Sequence, residues 1–306
     1  MGNAVNGHWL RLSGNNTQYT PSLAQLLLAT VNGQLVRFNT GTLELTRIFQ
    51  THEDNALMGL CGDNDLLFVA GLSSLFSLRK GDFSLERRTR NFLPSLGLHQ
   101  MNIYDGKLFA TATKRNQIWI FDRQLRRTGK IRIAPPLPNK RIRYKKNYNH
   151  INNIISHKGA FYINLNWFTD KQYAESGVLV CDKDFRELDR FKFAWESHDF
   201  QFIDGKMTAI CSTSGRDKKI LHPKSSGLMV DGKLVWEHDP DESFCKALCH
   251  DRQFIYMCGG MKALRAKRKY TAGVIYVIDK KDYSLVRKIT KDGMMGIRGA
   301  MLLETP

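Results

Sequence analysis

The sequence predicts an all-β fold assembled from six copies of one four-stranded antiparallel unit, and three observations predict it. First, three histidines head equivalent segments. They read His99-Gln-Met-Asn-Ile-Tyr-Asp-Gly-Lys, His150-Ile-Asn-Asn-Ile-Ile-Ser-His-Lys-Gly and His198-Asp-Phe-Gln-Phe-Ile-Asp-Gly-Lys, 51 and 48 residues apart. Second, a short apolar strand ending at a polar turn recurs as Leu35-Val-Arg-Phe-Asn39, Leu75-Phe-Ser-Leu-Arg79, Ile118-Trp-Ile-Phe-Asp122, Val178-Leu-Val-Cys-Asp182 and Ile275-Tyr-Val-Ile-Asp279, each followed by an alternating strand such as Leu85-Glu-Arg-Arg-Thr89. Third, another apolar strand precedes each of these, as in Lys107-Leu-Phe-Ala-Thr-Ala-Thr113 and Gln253-Phe-Ile-Tyr-Met-Cys258.

Taken in order, the units fall at about 24–50 plus 296–304, 55–90, 98–133, 149–193, 197–238 and 244–290. The fifth replaces the longer polar turn with Asp231-Gly232, a two-residue hairpin signal. The first lacks a leading strand, and Ile297-Arg-Gly-Ala-Met-Leu-Leu303 at the end of the chain is a spare one. The expectation is that this C-terminal strand completes the first unit and closes a ring. In this respect the chain resembles six-bladed β-propellers over nearly its whole length, a likeness of architecture rather than of motif. Neither the Trp-Asp signature of WD40 repeats nor a Gly-Gly-rich kelch pattern is present. A β-sandwich would leave the repeat unexplained, and helical repeats would need apolar residues at helical spacing.

The composition adds a charge. With 46 Lys and Arg against 29 Asp and Glu, the net charge is +17, which favours an anionic partner. Such a partner is a small anion, an acidic peptide or a nucleic acid. No apolar run approaches the ~20 residues of a membrane span. The six cysteines form no Cys-x-x-Cys pair, so reduced thiols and a cytoplasmic location are expected.

The resemblance implies that the innermost strand of each blade lines a central channel. Counting back from the turn Asp residues puts Arg298, Asn55 or Leu57, His99, His150, His198 and Cys245 on one level at the channel mouth. Three imidazoles on one level suit a divalent transition metal ion. Some propeller enzymes hold a metal in this way, an analogy of architecture alone. Glu196, two residues before His198, is placed to orient an imidazole or to act as a base. Three basic clusters fall in loops expected on the same face. They are Lys140, Arg141, Arg143, Lys145 and Lys146; then Arg216, Lys218 and Lys219; then Lys267, Arg268 and Lys269.

Two functions are therefore expected to compete. One is a metal-dependent enzyme with His99, His150, His198 and Glu196 as catalytic groups, and Arg298, Cys245 and the basic loops as substrate-binding groups. The other is a non-catalytic module that binds RNA, DNA or an acidic protein. No Walker loop, His-Glu-x-x-His or Gly-x-Ser-x-Gly directs the chemistry further.

Overall fold

Each repeat folds into a four-stranded antiparallel sheet because its apolar strands are joined by turns of the right handedness. The protein is described from a computed structural model covering residues 24–51, 56–89, 97–133, 149–168, 175–212, 226–263, 267 and 270–303. Blade 1 holds β1 (Gln25–Thr30), β2 (Gln34–Asn39) and β3 (Leu45–Gln50). Blade 2 runs β4 (Leu57–Gly62), β5 (Leu66–Gly71), β6 (Leu75–Arg79) and β7 (Leu85–Arg88), and blade 3 runs β8 (Leu98–Tyr104), β9 (Lys107–Ala112), β10 (Gln117–Phe121) and β11 (Arg127–Arg132). Blade 4 is β12 (Ile151–His157), β13 (Ala160–Leu165), β14 (Glu175–Cys181) and β15 (Glu187–Trp195). Blade 5 is β16 (Ser197–Ile203), β17 (Lys206–Cys211), β18 (Ser226–Val230) and β19 (Lys233–His238). Blade 6 is β20 (Ser243–His250), β21 (Phe254–Met261), β22 (Ala272–Asp279) and β23 (Leu285–Met295). The last strand, β24 (Ile297–Leu303), pairs antiparallel with β1, from Gln25↔Leu303 to Thr30↔Ile297. The sheet order β24-β1-β2-β3 closes the ring, as expected from the sequence.

The turns obey two rules. Asp105-Gly106, Lys158-Gly159, Asp204-Gly205 and Asp231-Gly232 all have both residues at positive φ, between 46° and 79°, the geometry that matches strand twist in a two-residue hairpin. The longer turns into the outermost strands follow another pattern. Asn39, Asp122, Asp182 and Asp279 accept hydrogen bonds from backbone N–H groups ahead of them, as in Arg126 N to Asp122 Oδ1 at 2.8 Å. In each of these four turns, and in the equivalent turn that begins at Arg79, a large apolar residue then adopts a left-handed conformation: Leu43, Phe83, Leu125, Phe185 and Tyr283, with φ between 55° and 61°. Such a residue costs ~1–2 kcal/mol in backbone strain.

Packing offsets that strain. Among the described residues the core falls into six clusters, each shared by two adjacent blades, so each blade packs on both of its neighbours. Each left-handed residue packs on the cluster shared with the preceding blade: Leu43 between blades 6 and 1, Phe83 between 1 and 2, Leu125 between 2 and 3, Phe185 between 3 and 4, and Tyr283 between 5 and 6. Burying a Phe or Leu side chain is worth ~1.5–3 kcal/mol. All six cysteines are free thiols, and only Cys61 is less than fully buried. Among the described residues no helix is long and apolar enough to cross a membrane.

Candidate functional site at the channel mouth

The innermost strands present their backbone edges to the channel, so their unpaired groups need partners. Side chains of neighbouring blades supply several. Asp199 Oδ2 accepts from Leu248 N at 2.6 Å, and Gln201 Nε2 donates to Leu248 O at 2.7 Å. Asn153 Nδ2 donates to Phe200 O at 2.7 Å, Asn152 Nδ2 to Ser197 O at 2.5 Å, and Gln100 Nε2 to Arg298 O at 3.3 Å. Gln100 reaches that far because Gly59 of the intervening blade leaves room. A Cβ on Gly59 would stand 2.7 Å from Gln100 Oε1.

Each innermost strand also carries a β-bulge in its first half. Arg298, Met58, Asn152 and Lys246 are the extra residues of β24, β4, β12 and β20. In β8, His99 and Gln100 together face the single position left open between Met101↔Ala110 and Leu98↔Ala112, and in β16 the irregularity lies between His198 and Gln201. A bulge re-aims side chains and reverses the face on which the following residues lie. As a result, Arg298, Met58, His99, Asn152, His198 and Lys246, one from each blade, surround a void of about 10 Å³, with Gln100 and Asp199 beneath. That is room for about one water molecule.

The electrostatics of this level are positive. Lys246 Nζ lies 3.1 Å from His198 Nε2. An ammonium has no acceptor, so it donates and the imidazole nitrogen accepts. The guanidinium of Arg298 lies 5.3 Å from the Phe244 ring centroid, a cation–π contact. His99 and His150 meet edge to face at 5.5 Å, and His150 lies 4.9 Å from Trp167. Burial, with the charge of Lys246, lowers the His150 pKa to about 3. Burial and the neighbouring cations hold His99 and His198 well below the ordinary imidazole value. All three are neutral near pH 7. Asp199 goes the other way: burial pushes its carboxyl up to about 7, although Leu248 N and Gln201 donate to it. His150, Glu196 and Asp199 hold positive φ of 48°, 40° and 47°, and strain of this kind gathers at functional sites.

Several expected positions change. Cys245 does not face the channel. It is fully buried in the cluster between blades 5 and 6, because the bulge turns out Lys246 in its place. Leu57 is likewise buried, between blades 1 and 2, and Met58 takes its channel position. Asn55 lies outside the described residues. His150 sits before its strand, next to His99, while Asn152 occupies the ring level of blade 4. Glu196 is half-buried in the link into β16, and its carbonyl accepts from Ser212 N. Lys140, Arg141, Arg143, Lys145, Lys146, Arg216, Lys218, Lys219, Arg268 and Lys269 lie outside the described residues, and Lys267 is exposed. Among the described residues, no group of three His, Cys, Asp or Glu is arranged to hold a metal ion.

Below Gln100 and Asp199 the channel widens into a chamber of about 460 Å³ that opens toward the hairpin turns. All six innermost strands contribute to its wall.

No family model matches the chain, and no curated protein matches it in sequence. Solved structures do match in shape. A protein of unknown function from Bacteroides caccae superposes with a TM-score of 0.65 over 93% of this chain and 100% of its own, at 12% identity. A chain of a nidogen/laminin complex gives 0.58 over 91% and 98%, at 11% identity. The WD40 β-propeller domain of Doa1 gives 0.52 over 90% of this chain and 81% of its own, at 11% identity. The chain is a six-bladed β-propeller. At these identities the likeness carries the fold and nothing about chemistry.

The propeller's channel also includes residues that the sequence reading passed over: Met58, Gln100, Asn152, Asp199 and Lys246. Two of them left a signal. Lys246 is a lone cation inside the apolar run Phe244-Cys-Lys-Ala-Leu-Cys, and Asp199 is a lone carboxylate inside His198-Asp-Phe-Gln-Phe. A charge within a strand buried on both faces is unusual enough to mark a functional position.

Proposed function

We propose that the protein binds a carboxylate- or phosphate-bearing ligand across the histidine-lined mouth of its channel, with one anionic oxygen in the water-sized void and the rest of the group above it. The observation that carries this reading is the convergence of Arg298 and Lys246, from blades adjacent across the ring closure, on the level of His99 and His198. Two fixed cations and neutral imidazoles able to donate hydrogen bonds suit an oxyanion, and Arg engages one bidentately. The net charge of +17 speeds capture of such a ligand.

The same residues fit a resident divalent cation poorly. Lys246 already occupies the His198 Nε2 lone pair, and Arg298 and Lys246 would repel the ion. The binding-module reading draws its support from the Lys140–Lys146 stretch with Tyr144 and Tyr148, a composition suited to nucleic acid.

Calorimetric titration with inorganic phosphate and with acetate tests the proposal. Lys246→Met and Arg298→Met are each expected to weaken binding about tenfold or more, equivalent to ~1.4 kcal/mol. Binding that survives both substitutions would refute it. Elemental analysis of the purified protein addresses the metal. A stoichiometric transition metal lost on His99→Ala would favour the metal-dependent enzyme. Salt-steep RNA binding abolished by neutralising the basic residues at 140–146 would favour the module.

A further inference from the structure

The chamber beyond the ring has a chemistry opposite to that of the mouth. Among the described residues, no Lys or Arg lines it. Its polar groups are mainly amides and a hydroxyl, with the Asp199 carboxyl and the His157 and His250 imidazoles among them, and several have capacity to spare. The side chains of Asn102 and Ser156 make no hydrogen bond among the described residues, and the Gln201 side chain spends only its Nε2, on Leu248 O and Asp199 Oδ1. Asn153 Oδ1 is buried, with the residue only 2% exposed, and has no partner. A buried carbonyl oxygen left unpaired costs ~1–3 kcal/mol, and this one meets a donor in the chamber only if the amide turns toward it. One stretch of wall is aromatic: the His157 ring stacks on Phe202 at 3.8 Å with 12° between planes. The volume of about 460 Å³ lies within the ~300–1,000 Å³ usual for small-molecule sites.

The geometry points to a second site, distinct from the mouth, that takes a neutral polyhydroxylated ring of monosaccharide size. Each hydroxyl of such a ligand both donates and accepts, which matches amides that present an N–H₂ and a C=O side by side. Its carbon-bound hydrogens form a weakly apolar face suited to the His157–Phe202 stack. An anion would meet the Asp199 carboxyl on the wall, while Lys280, behind His250, is engaged with Asp204, so the chamber favours a neutral ligand over the anion that the mouth attracts. The ligand enters from the turn-bearing end, because Gln100 and Asp199 stand between the chamber and the ring.

Ligand-observed NMR and calorimetry on the full chain test this with D-glucose, N-acetylglucosamine and myo-inositol, against the charged counterparts glucose 6-phosphate and glucosamine. At least one neutral probe is expected to bind, and inorganic phosphate should not displace it. Asn102→Leu, which removes an amide with no fold partner, is expected to weaken binding tenfold or more. Ser156→Phe, which fills the chamber, should do the same, and Lys130→Met on the outer strand of blade 3 should not. Thermal melts establish that each variant is folded, and Asn102→Leu decides the matter if Ser156→Phe does not fold. Absence of binding by every neutral probe, preference for a charged counterpart, displacement by phosphate, or indifference to Asn102→Leu would each overturn the inference. Phosphate binding measured on the same samples reports the mouth separately, so failure of one site leaves the other standing.

Discussion

Asp199 and the three channel histidines carry opposite responses to pH. Unfolded, the imidazoles titrate near ~6.5 and the carboxyl near ~3.9. In the folded protein His99, His150 and His198 resist protonation, so below about pH 6.5 the unfolded chain binds more protons and stability falls with pH. Folded Asp199 takes up its proton near 7. Between ~7 and ~3.9 the folded state binds that proton and the unfolded state does not, so this term stabilises as pH falls. Asp199→Asn removes the opposing term. Urea midpoints of the variant are expected to decline more steeply between pH 6.5 and 4 than those of the parent. Parallel pH curves would mean that the Asp199 proton is not linked to folding.

At the scale of the element, turns and bulges determine where side chains go. The left-handed apolar turn residues exchange strain for burial, and Phe185 is the clearest case, stacked on Phe161 at 4.5 Å and 13°. Phe185→Asn is expected to relieve most of the strain, because Asn tolerates this conformation, yet to lower stability by ~1–2 kcal/mol through lost aromatic burial. A raised melting temperature would show that strain outweighs packing there. The bulges explain which parts of the site were legible in the sequence. The repeat places His99 and His198 at the channel because both stand at the head of a strand of known polarity. The same counting fails at Cys245 and Leu57, since one inserted residue reverses the inward and outward faces, and a sequence pattern of period two does not reveal where the insertion falls.

For the molecule as a whole, closure is the decisive interaction. β24 covers the free edge of β1 and packs Ile297, Ala300 and Leu302 on the cluster joining blades 6 and 1. Removal of residues 297–303 exposes both that edge and the apolar faces beneath it. Such a truncated chain is expected to lose its cooperative urea transition and to associate, as read by light scattering. A monomeric, cooperatively folding truncation would show that five complete blades and a partial one suffice.

The sequence by itself determined the number of repeats, the strand order within each, the closing role of the final strand and the positive charge. These follow from local periodicity and turn chemistry, which neighbouring residues encode. Only the tertiary structure decided which residues share the channel. It brought Lys246 to His198 and Arg298 to the same ring, removed Cys245 to the core, and separated a cationic mouth from a wider chamber walled largely by amides and apolar side chains. The physical reason is that the ring level is a meeting of six strands far apart in the chain. Each strand's contribution depends on a bulge whose position is fixed by packing against its neighbours rather than by its own residues.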